Sequence, residues 1–258
     1  MRRLSLVGWV LVVLAAVVAV EQIAVSLTKT TSTFWTSNNW NLALVVLIGV
    51  AAVLAITSFG AVLTTAKSNE VSIKANPLTH FLFHDTNSAV LWLVVRVYVG
   101  LSWFTAGLDK VQSSAWVGSG AGPALKGFVL SAIGKSSGSH ASVQGWYSDF
   151  LNSVIVPNVG AFSYVVAFGE LLVGIALIIG AFTGVAAFFG AFMNMNYMLA
   201  GTTSTNPILG FLELFLILAW RVAGYYGADR WLLPAIGTPW ELGTALRRPG
   251  AQTKASGG

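Results

Sequence analysis

The chain has 258 residues, of which 55% are hydrophobic and only 9% are charged, and its mean hydropathy is +0.75. Soluble domains have about 25% charged residues, so this composition excludes an ordinary soluble protein and predicts an all-α integral membrane protein. The net charge of +5 is better explained by membrane orientation than by nucleic-acid binding, because the basic residues collect at helix ends and in the tail. The sequence contains no cysteine, so this chain can hold no disulfide, thiolate-bound metal or iron–sulfur cluster.

Six apolar segments predict six transmembrane helices, and the second, residues 42–66, is long enough to cross hydrocarbon at about 1.5 Å per residue. The first begins like a signal peptide but is longer than the apolar core of such a peptide, which has about 7–15 residues, so we expect a retained helix. The predicted spans cover residues 4–27, 42–66, 88–108, 159–180, 184–200 and 206–220.

The chain divides into three parts. Residues 1–87 hold the first two helices and a cytoplasmic loop, residues 88–234 hold the last four helices, and residues 235–258 form a Gly-rich, basic tail that we expect to be disordered. The long loop at residues 109–157 contains short amphipathic stretches, which predict surface helices forming a lid over the bundle.

The basic residues predict the orientation. With six crossings, both termini lie on one side of the membrane, and nine basic residues fall on that side against four on the other. The positive-inside rule therefore predicts a multi-pass protein of the cell membrane with cytoplasmic termini and an extracytoplasmic long loop. The nine are Arg2, Arg3, Lys67, Lys74, Arg221, Arg230, Arg247, Arg248 and Lys254, and the four are Lys29, Lys110, Lys126 and Lys135.

Two histidines in the phrase HFLFH, His80 and His84, stand at helical i,i+4 spacing. This spacing suits a metal or haem, but no third type of ligand is grouped with them. An interfacial helix is the favoured interpretation, and the sequence predicts no metal or haem site.

Three ionisable residues interrupt the predicted spans: Arg96, Glu170 and Glu213. Charges are costly in hydrocarbon, so such residues mark a functional interior. Counting from the cytoplasmic side at about 1.5 Å per residue places Arg96 near 12 Å, Glu170 near 14 Å, Asn194 near 15 Å, and Trp103, Tyr197 and Glu213 near 20–22 Å. The sequence therefore predicts a polar column that opens towards Asp109 and Lys110 at the outer surface.

We expect Arg96 to pair with Glu170, either as a structural ion pair or as part of a ligand site. Glu213 has no cation at its depth except Lys110 from above, which predicts a neutral carboxyl group able to exchange protons. The candidate catalytic residues are Arg96, Glu170 and Glu213. The candidate substrate-binding residues are Trp103, Asp109, Lys110, Asn194 and Tyr197.

The phrases RVYVGLSWFTAGLDKV, GELLVGIALIIGAFTG and LILAWRVAGYYGADRWLLP resemble the DoxX/DoxD family of membrane proteins and, within it, the large subunits of thiosulfate:quinone oxidoreductases. The resemblance covers residues 88–234. It implies a DoxX-like four-helix bundle, formed by the last four helices, and membrane redox chemistry. For the thiosulfate enzymes it implies oxidation of thiosulfate to tetrathionate, electron transfer to a membrane quinone, and a second, small subunit.

Two functions remain open. The first is a membrane subunit of a quinone-linked oxidoreductase, with thiosulfate received by Lys110 and Arg96, and the quinone held by Trp103, Tyr197 and Glu213. The second is a non-catalytic accessory or scaffold subunit of a respiratory or redox-stress complex. The expected partners are membrane lipid, a membrane quinone and a small thiosulfate-oxidising subunit or respiratory complex. A transporter is disfavoured because the sequence has no evident inverted repeat or broken helix.

Overall fold

The computed structural model describes residues 76–236, together with the single positions Val13 and Val17. Within this part the chain is helical and has no strand, so the all-α class is confirmed. The first two predicted spans, at residues 4–27 and 42–66, and the tail beyond residue 236 lie outside the described residues. The count of six spans therefore stays a prediction.

The helices follow one another as α1 Pro77–His84, α2 Ala89–Val111, α3 Pro123–Gly134, α4 Gly145–Phe150, α5 Val159–Ile179, α6 Thr183–Leu199, α7 Asn206–Leu218, α8 Trp220–Ala223 and α9 Asp229–Ile236. A π-turn at Leu151–Ile155 and a 3₁₀ turn at Val156–Asn158 join α4 to α5. Helices α2, α5 and α6 begin and end within a few residues of the predicted segments. The last predicted span is divided at Ala219 into α7 and α8.

Helices α2 and α5 pack antiparallel and very close together, because glycine leaves room for the facing backbone. A Cβ atom on Gly107 would lie 2.7 Å from the Cα of Leu171, and one on Gly100 would lie 3.0 Å from the Cβ of Leu177. Both glycines therefore permit the close approach of the two helices. This register also puts the end of α5 level with Gly100, so α2 extends about 16 Å beyond α5 at about 1.5 Å per residue.

We expect Gly107→Ala to lower the free energy of unfolding by about 1–3 kcal/mol, because the added methyl group meets rigid backbone rather than a movable side chain. Thermal and denaturant unfolding in detergent micelles measure the change. Gly127→Ala is the matched control, since a Cβ atom at this helical position in α3 meets nothing within 4 Å among the described residues, and its stability should equal or slightly exceed that of the wild type. Equal stability of Gly107→Ala and the wild type would contradict the close packing.

Large apolar side chains cover the outward faces of α5, α6 and α7. Leu172 is 63% exposed, Phe192 is 59% exposed and Phe211 is 60% exposed, whereas Glu170 and Glu213 are at most 1% exposed. Two continuous helical stretches, Thr86–Val111 and Gly145–Ile179, are long and apolar enough to cross a membrane. An apolar surface around a polar interior is the arrangement that a hydrocarbon solvent favours.

The long loop forms a packed cap at one end of the bundle. Its helices α3 and α4 enclose a small apolar core around Leu125, Val129 and Tyr147, which extends to Ala200 at the end of α6. The hydroxyl of Tyr147 donates to the backbone oxygen of Asn196 at 3.1 Å. The predicted short helices are present as α3 and α4 and pack over the end of the bundle, and their role as a lid stays a prediction.

Candidate ligand site between the helices

A cavity of about 310 Å³ lies between the helices and the cap. The bundle side contributes five of the eight predicted site residues: Trp103, Lys110, Glu170, Asn194 and Tyr197. The cap contributes three apolar or aromatic side chains: Trp116, Leu125 and Phe128. Aromatic walls with a few convergent polar groups are typical of small-molecule sites. The three cap residues were missed by sequence reasoning, although the predicted lid indicated where to look for them.

Glu170 is held by two donors at the cavity wall. The Nζ of Lys110 lies 2.6 Å from its Oε2 atom, and the Tyr197 hydroxyl donates to its Oε1 atom. Lys110 is 21% exposed while Glu170 is 1% exposed, and the Lys110 Nζ lies 5.2 Å from the centre of the Trp116 ring. The positive charge of Lys110 therefore lies between the mouth of the cavity and the buried carboxylate of Glu170.

The α2–α5 register explains this pair. Gly107 packs against the backbone of Glu170 and Leu171, and Lys110 follows Gly107 by about one helical turn on the same face. Lys110 therefore points towards Glu170 across the closest part of the helix pair.

Glu213 lies behind the cavity wall and is bound by neutral donors. Trp103 Nε1 donates to its Oε1 atom, and Asn194 Nδ2 donates to its Oε2 atom at 2.7 Å. Gly190 makes room for this pair, because a Cβ atom there would lie 3.0 Å from Trp103 Nε1. Within residues 76–236 no cation forms an ion pair with Glu213, and Lys110 is engaged by Glu170 instead.

Arg96 does not pair with Glu170, so this prediction is wrong. Its Nη1 atom donates to the backbone oxygens of Leu177 at 2.8 Å and Ile178 at 3.2 Å, and its Nη2 atom donates to the oxygen of Tyr226 at 3.3 Å. The depth count assumed that all helices begin at one level, whereas α2 extends far beyond the end of α5. Arg96 therefore caps the carboxyl end of α5, where a positive charge is favourable.

Asp229 completes this structural cluster and was missed by sequence reasoning. Its carboxylate accepts hydrogen bonds from the backbone N–H groups of Phe182 at 2.5 Å and Thr183 at 2.9 Å, at the start of α6. Its own backbone N–H donates to the oxygen of Gly180 at 2.7 Å. Asp229 thus fixes the α5–α6 turn, and Arg96 caps the end of α5 close to it. The only available signal was its place in the phrase GYYGADRWLLP.

Two predicted features lie away from the cavity. Asp109 is exposed and is not part of the cavity wall. His80 and His84 lie on α1 with ring centres 5.5 Å apart, and both are exposed. A group of three or more side chains suited to hold a metal ion is absent from the described part of the chain.

Partial desolvation lowers the pKa of His84, and the neighbouring charges of His80 and Arg221 lower it further. We expect Arg221→Gln to raise the pKa of His84, because the substitution removes a positive charge that disfavours the imidazolium form. A titration of histidine-labelled protein followed by NMR measures the shift. Arg230→Gln, which removes the guanidinium above the Tyr225 ring, is the control and should leave the pKa unchanged. An unchanged value in Arg221→Gln would contradict an electrostatic effect of Arg221 on His84.

The arrangement places two carboxyl groups and a phenol beside one aromatic cavity. Trp103, which donates to Glu213, stacks on Tyr197, which donates to Glu170, with ring centres 6.4 Å apart. Such groups are suited to bind a polar ring and to give or take protons from it. They are not suited to bind an anion, because the one lysine of the wall is already paired with a carboxylate.

The helical fold and the apolar exterior indicate a membrane protein, and its described helices enclose a polar cavity. The comparison with protein families is more specific: the DoxX family model matches residues 91–202, so a DoxX domain is found in this part of the chain. The matched segment runs from α2 to the end of α6 and includes the five cavity residues of the bundle, but it ends before Glu213. No curated protein and no solved structure gave a match.

Proposed function

We propose that this protein is a membrane subunit of a quinone-linked oxidoreductase. The observation that supports the proposal most strongly is the aromatic cavity with the carboxyl group of Glu170 at its wall and that of Glu213 directly behind it, bound to the wall residues Trp103 and Asn194. A bound quinone supplies the electron-accepting ring and needs two protons for each two electrons that it receives. The residues Tyr197, Glu170 and Glu213 are positioned to hold those protons next to the ring.

The residues of the cavity fit a quinone headgroup in shape and in charge. Its ring is apolar on both faces and stacks on aromatic side chains such as Trp103, Tyr197 and Phe128. Its carbonyl groups accept hydrogen bonds, and the Lys110 ammonium group can donate one from the N–H group that its contacts with Glu170 and Ala106 leave free. The headgroup is uncharged, so it adds no repulsion to the two carboxyl groups.

Thiosulfate is the electron donor that the family resemblance favours, and we place its oxidation outside the deep cavity. Two thiosulfate ions join through a new sulfur–sulfur bond to give tetrathionate and two electrons. A dianion is disfavoured next to Glu170 and Glu213, and Arg96 is buried and bound to backbone oxygens. We therefore propose that thiosulfate binds outside this cavity, either beyond its outer mouth or on a separate small subunit.

The direct test uses the purified full-length protein in lipid nanodiscs with thiosulfate and decylubiquinone. Reduction is followed by the absorbance change of the quinone, and tetrathionate is assayed as the second product. Quinone reduction that depends on both the protein and thiosulfate supports the proposal. Quinone binding without reduction would reject a thiosulfate site on this chain, and absence of both would reject the quinone-linked oxidoreductase.

A scaffold subunit is the second candidate, and the internal pairing of the charged groups favours it. Lys110 pairs with Glu170, and both Arg96 and Asp229 bind backbone groups of the α5–α6 turn. On this reading, loss of the protein lowers the assembly of a respiratory complex, and the Glu213→Gln variant restores assembly fully. An assembly defect that Glu213→Gln fails to restore, in a correctly folded protein, would reject a purely structural role for the cavity.

A further inference from the structure

The amide of Asn194 is only half satisfied at the wall of the cavity. Asn194 is fully buried, and its Nδ2 atom donates to Glu213 Oε2 at 2.7 Å. Its Oδ1 atom has no hydrogen-bond partner among the described residues. A buried acceptor without a donor is unfavourable, so a ligand that donates a hydrogen bond gains affinity from this atom.

This unpaired oxygen discriminates between classes of ligand. Sulfur oxyanions and ionised carboxylates offer only acceptors and leave Oδ1 unsatisfied. A hydroxyl group donates a hydrogen bond and satisfies it. With Glu213 ionised, the wall therefore matches a ligand with a hydroxyl group, such as the reduced form of a quinone.

Protonation of Glu213 changes the ligand group that the wall favours from a hydrogen-bond donor to an acceptor. A protonated carboxyl group is a donor, and its favoured partner is the oxygen of Asn194 rather than the nitrogen. Rotation of the amide exchanges the two atoms and leaves Nδ2 free to donate to the ligand. With Glu213 protonated, the wall therefore matches a carbonyl group, as in an oxidised quinone.

We propose that Asn194 couples the protonation state of Glu213 to the oxidation state of the bound quinone. The inference rests on the proposed function, since it concerns the same cavity. Oxidised quinone binds with Glu213 protonated, and the hydroquinone binds with Glu213 ionised. The coupling is a property of binding and requires no electron transfer.

The other titratable groups of the cavity are engaged with one another. Lys110 of α2 pairs with Glu170 of α5, and Tyr197 of α6 donates to the same carboxylate. The cap residues that line the cavity are apolar or aromatic and carry no titratable group. Glu213 of α7 is thus the titratable group whose protonation state sets the orientation of the Asn194 amide.

The test measures the binding of duroquinone and durohydroquinone to the full-length protein in detergent, by anaerobic calorimetry over a series of pH values. For duroquinone, binding takes up a proton, so its Kd falls as the pH is lowered. For durohydroquinone, binding releases a proton, so its Kd rises as the pH is lowered. Each slope approaches about tenfold per pH unit when one proton is linked. If the Kd values of the two probes change with pH in the same direction, the coupling is overturned.

Two variants separate the coupling from simple loss of the site. Glu213→Gln imitates the protonated acid, so neither Kd depends on pH and durohydroquinone binds about tenfold more weakly, for a difference of about 1.4 kcal/mol. Asn194→Leu removes both amide atoms, so the Kd values of the two probes no longer change with pH in opposite directions. The exposed Asn152 provides the matched control, and Asn152→Leu behaves as the wild type.

The outcomes distinguish this inference from the proposed function. The coupling is overturned if duroquinone binds but the Kd values of both probes change with pH in the same direction. It is also overturned if their opposite pH dependence persists in Asn194→Leu. In both cases the quinone site itself is retained. Absence of binding by both probes overturns the quinone site and the coupling together.

Discussion

Glu213→Gln is expected to reduce quinone turnover by about 10²–10⁴-fold while the fold is retained, because the variant keeps the shape of the side chain and removes its proton exchange. The amide preserves an oxygen for Trp103 Nε1 and a donor for Asn194, so the two contacts of Glu213 persist in altered form. Steady-state quinone reduction in nanodiscs measures the loss of kcat. Thermal unfolding in detergent verifies that the variant is folded.

Asp149→Asn is the matched control for this substitution, since it removes a carboxylate from an exposed position in α4. Its turnover should equal that of the wild type. Full activity in Glu213→Gln would show that the buried carboxyl group supplies no proton, and the proposed role of Glu213 would be withdrawn.

Arg96→Met is expected to lower the free energy of unfolding by about 3–5 kcal/mol, because it leaves buried carbonyl oxygens without donors and Asp229 without its nearby positive charge. The three hydrogen bonds that are lost fix the end of α5 and the segment before α9. Unfolding in detergent and the yield of monodisperse protein measure the effect. Quinone affinity of the folded fraction should be unchanged, because Arg96 does not line the cavity.

Arg221→Gln is the control for Arg96→Met, since Arg221 is exposed and stacks on the Trp220 ring. Its stability should lie within about 0.5 kcal/mol of the wild type. A stable Arg96→Met protein that has lost quinone binding would contradict the structural role and restore Arg96 to the ligand site.

The helices of the bundle were predictable because long apolar runs and glycine spacing are properties of the local sequence. The runs that became α2, α5 and α6 each end at polar or glycine-rich turns, and Gly100 and Gly107 lie on one face of α2 by their spacing alone. The same local information predicted that Trp103, Asn194 and Tyr197 face the bundle interior.

The pairing of charges was not predictable because it depends on the vertical offset between helices. Counting along each span gives a depth only if all spans begin in one plane, and α2 extends well beyond the end of α5. The offset is set by the contact of Gly107 with Leu171 and of Gly100 with Leu177. Because of this offset, Glu170 pairs with Lys110 rather than with Arg96, and Arg96 binds the end of α5 instead.

The capping role of Asp229 was not predictable from the sequence for a similar reason. Its partners, the N–H groups of Phe182 and Thr183, lie more than forty residues earlier in the chain. Nothing in the local pattern of α9 distinguishes a carboxylate that caps another helix from one in its own first turn.

The proposed function requires that the cavity beneath the cap holds a quinone headgroup. Photolabelling of the full-length protein with an azidoquinone, followed by peptide mapping with mass spectrometry, tests it most directly. We expect labelled peptides from the cavity wall around Trp103, Phe128 and Tyr197, and loss of the label when excess decylubiquinone is added. Labelling confined to the outward faces of α5 and α7, with no competition by decylubiquinone, would contradict it.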